Sequence, residues 1–201
     1  MSETAPTATR STRGRPRDAG RDRAILDAAR TVIAERGFTG ASMDAIAQTA
    51  GVGKDTLYRR WSSKVQLVRH LLTVLADEGI PSRPPDPDPR FGLFIFLQDL
   101  VRLNTRSDFG AVVAGVIGES ARNPQLADVF HSFWAERRRS SADLVRDVVG
   151  PEASADDIDR HVDQIVGPVY YRLLLSGDEI TDEYLWDLVA TLPWPDDPDR
   201  T

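Results

Sequence analysis

Apolar side chains recur three and four positions apart through most of this chain, which is the spacing of one helix face. Ile25, Ala29, Val32 and Ile33 make the first stripe and predict a helix from Arg21 to Arg36. Gly37 ends it, and Phe38 then packs beneath the unit. Ser42 can cap a short second helix, with Asp44 near its positive end and Ile46 and Ala47 facing inward. Ala50-Gly51-Val52 reads as a tight turn, where Gly51 can take a positive φ without steric cost. A third helix, from Lys54 to Trp61, turns Leu57 and Trp61 inward and leaves Lys54, Asp55, Thr56, Tyr58, Arg59 and Arg60 outward. Ser62 and Ser63 offer a cap for a fourth helix opened by Lys64. Its residues Leu67, Val68, Leu71, Leu72 and Leu75 cover so much of the circumference that it should pack on two sides, bridging the first part of the chain to the rest.

The segment from Pro81 to Pro89 cannot be helical and breaks the chain there. Beyond it the helical spacing resumes. Phe94, Leu97, Gln98 and Val101 share a face of a fifth helix, and Phe109, Val112, Val113, Val116 and Ile117 a face of a sixth. Asn123-Pro124 starts a seventh, whose stripe runs through Leu126, Phe130, Phe133, Trp134, Leu144 and Val148 until Gly150-Pro151. The eighth carries Ile158, Val162, Ile165, Val166, Val169, Tyr170, Leu173 and Leu174, with Gly167-Pro168 expected to kink it. The ninth, Asp182 to Leu192, offers Tyr184, Leu185, Leu188, Val189 and Leu192. The expected fold is all-α, about nine helices, with a three-helix unit at the front. The last two helices are half of a four-helix bundle, which a twofold partner would complete. Val162, Ile165, Val166, Val169, Tyr170, Leu173, Leu185 and Leu188 are the expected faces of that homodimer.

Charge changes the picture. The net charge of −6 is unevenly spread. Residues 1–73 hold 13 Lys and Arg against 7 Asp and Glu, a balance of +6, and the remainder is −12. The basic part coincides with the three-helix unit, the footprint of a nucleic-acid binder. Residues 1–19 read as a disordered basic arm, in which Arg13, Arg15 and Arg17 could enter a minor groove or stay solvated. There is no cysteine, so no disulfide framework. No apolar run approaches the roughly 20 residues that span a bilayer, and a cytoplasmic protein is expected.

The third helix suits the DNA major groove. Lys54, Thr56, Arg59 and Arg60 are expected at base edges or flanking phosphates, with Arg59 and Arg60 as candidates for bidentate guanine contacts. Tyr58 and Lys64 are expected to hold phosphates, and Asp55 to orient a neighbouring arginine or cap the helix. Thr39 and Ser42 could donate to a phosphate; simple capping serves Ser42 equally well.

These residues also carry a resemblance. Ala24-Ile25-Leu26-Asp27-Ala28-Ala29, Gly37-Phe38-Thr39, Ile46-Ala47, Ala50-Gly51-Val52, Thr56-Leu57-Tyr58 and Ser63-Lys64 together resemble the DNA-binding domain of TetR/AcrR-type bacterial repressors. Gly53 departs from the Ser or Thr usual at the cap of the third helix, and Arg60-Trp61 from the usual pair there, so the operator cannot be borrowed from a relative. Ala121-Arg122-Asn123-Pro124-Gln125-Leu126 and Gly167-Pro168-Val169-Tyr170-Tyr171-Arg172-Leu173-Leu174 resemble the C-terminal domain of one subgroup. The resemblance implies dimerisation through the last two helices, a palindromic DNA operator, and a small-molecule pocket in the middle helices. Candidate pocket walls are Phe94, Leu97, Val101, Val113, Ile117, Phe130, Trp134 and Tyr171, with Gln98, Asn104 and His131 as polar handles. A release of the operator by an apolar or aromatic effector would follow.

The implied division is a basic arm at 1–19, a helix-turn-helix domain at 20–66, an effector and dimerisation domain at 67–192, and a flexible tail at 193–201. Two other classes compete. An enzyme finds little support: His70, His131 and His161 have no metal-ligand spacing, and no nucleophile elbow, phosphate loop or dinucleotide glycine pattern occurs. No cofactor and no membrane partner are expected. A ligand-independent DNA-binding or nucleoid-organising protein would share the arm and the helix-turn-helix.

Overall fold

The computed structural model describes residues 19–81 and 86–194. The arm with Arg13, Arg15 and Arg17, and the tail from residue 195, lie outside them. Among the described residues there are nine α-helices and no strand: α1 Ala19–Gly40, α2 Met43–Thr49, α3 Lys54–Tyr58, α4 Lys64–Gly79, α5 Pro89–Arg106, α6 Phe109–Ser120, α7 Pro124–Val149, α8 Ala155–Tyr171 and α9 Asp182–Ala190. The all-α expectation holds, and so do most of the sequence signals for helix ends. Ser42, Ser63, Asp88, Asn123, Ser154 and Thr181 each accept a backbone N–H at the start of the helix that follows. Gly37 takes φ 68°, so the straight part of α1 ends where expected.

α3 is shorter than expected. Arg59, Arg60 and Trp61 continue as a turn rather than as helix, because Ser63 must be extended (φ −152°, ψ 160°) to cap α4. Pro168 sits inside α8, which runs on through it; a π-helical turn, Arg172–Ser176, then follows. Proline has no N–H for the carbonyl four residues back, so the ladder is thinned there.

Two hydrophobic cores organise the chain. The first joins α1 to α4 with α6 and the first half of α7, around Ile25, Ile46, Leu57, Leu67, Leu71, Val112, Val116, Leu126 and Phe133. The second joins α5, the end of α7, α8 and α9, around Leu93, Leu97, Val145, Ile165, Val169 and Leu185. α4 therefore belongs to the core of the DNA-reading unit, and α6 lies directly on α1.

The stripe expected to face a dimer partner faces this chain instead. Val162, Ile165, Val169, Leu185 and Leu188 are buried in the second core, with Val166, Tyr170 and Leu173 packed against it. The end of α7, with α5, supplies the neighbours that the periodicity could not reveal. The second half of α8 leaves Gln164, Gly167 and Tyr171 exposed on its outer side, beside Asp163, and Leu175 continues that side at 77% exposure.

Candidate functional site

α2 and α3 meet through the turn at Gly51, whose φ is 65°. The Val52 N–H returns to the Ala47 carbonyl at 3.0 Å, closing the corner. Leu57 is fully buried and Trp61 nearly so, and these two anchor α3. Trp61 also donates its ring N–H to His70 Nδ1 at 3.1 Å. With that side committed, Lys54, Asp55, Tyr58 and Arg59 are left exposed, with Thr56 half-buried between them. Lys54 pairs with Asp44 of α2 at 2.5 Å, an exposed pair that water and phosphate can readily replace. Ser42 Oγ accepts from the Ala45 N–H at 3.1 Å, so it caps α2. Gln48 and Thr49, exposed at the end of α2 beside the turn, belong to the same surface. The sequence offered only their polarity as a signal.

Three expected DNA contacts are engaged elsewhere. Arg60 turns back to α1 and pairs with Asp22; their side chains are only 15% and 25% exposed. That geometry makes it a strut between α1 and the end of α3. Lys64 is also turned inward. Its ammonium donates to the carbonyls of Phe38 (2.5 Å) and Ala41 (2.7 Å) and lies 4.2 Å from the centre of the Phe38 ring. Desolvation lowers its pKa, and the charge of Glu119 partly opposes that. It satisfies carbonyls where α1 ends. Thr39 donates to Glu119 Oε2 on α6 at 2.7 Å.

The second feature is a cavity of about 1090 Å³, partly open to solvent, between α4, α5, α7 and α8. Ile95, Phe96, Leu100 and Leu103 of α5 line one side, and Val162, Val166 and Tyr170 of α8 another. Phe109, the first residue of α6, also lines it. Of the expected wall residues, His131 and Trp134 are there. Phe94, Leu97, Val113 and Phe130 are buried core residues, and Val101 packs against the second core. Gln98 is bonded to Asp182 at 2.7 Å. Ile117 and Tyr171 are exposed on the outer surface. The correction has one cause: on a helix surrounded by others, the most apolar stripe goes to the core. The cavity takes the flanking stripe, where apolar and polar residues mix.

Polar groups on the wall are mostly answered. Arg137 reaches Asp77 at 2.8 Å, and Arg138 is held by Asp159 at 3.2 Å and by Asp163. The Tyr170 hydroxyl is buried and turned toward Asn104, but neither it nor Asn104 Oδ1 completes a hydrogen bond. Burial holds this phenol protonated, with its pKa far above the ordinary value. Among the described residues no group of three or more His, Cys, Asp or Glu is placed to hold a metal ion. No described helix is long and apolar enough to cross a membrane.

A helix-turn-helix whose α3 leaves Lys54, Asp55, Tyr58 and Arg59 exposed is thus carried on a hollow helical body. Residues 25–71 match the family described as bacterial regulatory proteins of the tetR family, and residues 84–192 match the tetracyclin repressor-like C-terminal domain. The chain is 34% identical over 182 residues to the HTH-type transcriptional regulator YdeS of Bacillus subtilis, covering 89% of this chain and 91% of YdeS. It is 29% identical over 126 residues to the regulator UidR of Escherichia coli K12, covering 58% and 64%. The crystal structure of the TetR-family regulator SCO0332 shares the fold, with a TM-score of 0.67, 24% identity, and coverage of 86% of this chain and 96% of that one. The chain belongs to the TetR family of transcriptional regulators.

Proposed function

We propose that the protein is a repressor that binds a palindromic operator as a homodimer and leaves it when a small molecule enters the cavity. Lys54, Thr56, Tyr58 and Arg59 approach the bases and flanking phosphates, with Ser42 at the edge of the same surface. Two recognition helices related by a twofold axis read two half-sites.

The observation that carries this reading is the placement of α6. Its first residue, Phe109, forms cavity wall, and both of its ends are tied to α1. Arg30 pairs with Asp108 at 3.2 Å beside the start, and Thr39 bonds Glu119 at 2.7 Å near the finish. A ligand pressing on Phe109 would move α6 as a rod and carry α1 with it, and through α2 the recognition helix. A ligand that favours the displaced arrangement lowers operator affinity by population shift. Dimerisation would use the outer face of α8, where Gly167, Tyr171 and Leu175 lie exposed one turn apart.

Selection of bound sequences from random duplex DNA at near-physiological salt tests the reading. An enriched palindrome, released by a cavity ligand, is the expected result. Retention of DNA without an enriched motif would reject it in favour of a non-specific DNA-organising protein.

A further inference from the structure

We propose that the ligand of the cavity is an organic cation with an aromatic or apolar body. This rests on reading the cavity as the effector site and adds the chemical class of the effector.

The walls set the body of the ligand. Phe96, Phe109, Trp134 and Tyr170 come from four different helices to line one space. Aromatic faces attract a cation as well as apolar surface, more strongly where water is excluded.

The charges set the sign. Asp77, Asp86, Asp143 and Asp147 line the cavity, against Arg137 and Arg138. Both arginines are already neutralised, Arg137 by Asp77 and Arg138 by Asp159 and Asp163. Asp143 pairs with Arg146 at 3.0 Å. Asp86 and Asp147 have no cationic partner among the described residues. They also converge: with Gly92 and Leu144 they line a recess of about 250 Å³ adjoining the large cavity. Asp86 accepts one N–H, from Asp88 at 2.9 Å, which leaves its second oxygen for another donor. An aromatic body in the main cavity would thus set a positive centre beside two carboxylates. An anion would meet the same carboxylates with the charges of both arginines already balanced, and would be repelled; the one donor left over, Arg137 Nε, can serve a neutral acceptor.

Two ions of one shape and a smaller neutral triphenyl compound test this by titration calorimetry at pH 8. They are tetraphenylphosphonium (cation), tetraphenylborate (anion) and triphenylphosphine oxide (neutral). The cation is expected to bind about tenfold more tightly than the anion. Changing Asp86→Asn and Asp147→Asn together should weaken the cation about tenfold and leave the neutral probe unchanged. Trp134→Ala should weaken all three, which places them in the cavity. If the anion binds as tightly as the cation, or the double variant binds the cation unchanged, the charge assignment is overturned. The effector reading then stands as long as the neutral probe binds in a Trp134-dependent way. If none of the three binds, the effector reading is overturned with it.

Discussion

Thr39 Oγ1 donates to Glu119 Oε2 across 2.7 Å, joining the end of α1 to the last turn of α6. The hydroxyl has one proton, so it cannot donate to Glu119 and to a DNA phosphate at once. The carboxylate also places a negative charge near where the DNA backbone would run. Glu119→Gln should therefore tighten operator binding about threefold at low salt, with the gain shrinking as salt rises. Fluorescence anisotropy at two ionic strengths measures this. Unchanged affinity at both would place Thr39 away from the phosphates.

Arg60 and Asp22 make a largely buried pair between α1 and the end of α3. Removing one partner strands the other charge. Arg60→Ala should cost about 1–3 kcal/mol of folding stability. It should weaken binding to every operator sequence alike. Thermal denaturation with a repeat of the sequence selection checks this, and a lost preference at one base position would return Arg60 to base readout.

Arg59 is exposed on the recognition surface and has no ion-pair partner among the described residues. Arg59→Ala should leave stability within about 0.5 kcal/mol. It should cost about 1–3 kcal/mol of operator binding and relax one position in each half-site. Equal loss on all sequences would assign it to a phosphate.

The lowered pKa of Lys64 gives a pH dependence of definite sign. Between the folded value and the ordinary value near 10.5, the unfolded chain binds more protons at this site than the folded one. The cost of burying the ammonium is full below the folded pKa and is relieved as pH rises through that window. The stability of the native protein relative to Lys64→Gln should accordingly increase with pH there. Urea melts of both proteins across the alkaline range test it, and a flat difference would mean that the ammonium is not desolvated.

Tyr171 and Leu175 stand exposed on the outer face of α8 and its π-helical continuation, while Val169 is fully buried. Tyr171→Glu with Leu175→Glu should give a folded monomer that no longer binds the operator. Val169→Glu should unfold the chain, since it buries an unpaired carboxylate. Sedimentation velocity with circular dichroism separates the two outcomes. A double variant that remains dimeric would place the interface elsewhere.

The helix-turn-helix was legible because its signals are local. The Ser42 cap, the Gly51 turn and the Leu57–Trp61 spacing each act within a few residues, and the structure keeps all three. The cavity was much less legible. His131 and Trp134 were anticipated, but Phe96, Leu100, Leu103 and Phe109 were not. Periodicity names a face without naming what it meets. Asp22 is 38 residues before Arg60, and Phe38 is 26 before Lys64, so no window on the sequence shows those side chains turning away from DNA.

By itself the sequence determined the order of the helices, where most of them start, and which residues are apolar enough to be buried, because capping and periodicity are properties of short stretches. Only the tertiary structure decided what each face is buried against. Ile165 and Val169 had the pattern of a dimer surface, and α7 and α5 of the same chain pack on that side. Val166 and Tyr170, on a flanking stripe of the same helix, became cavity wall. The physical reason is that apolar burial is non-directional: it requires a neighbour and does not specify which one.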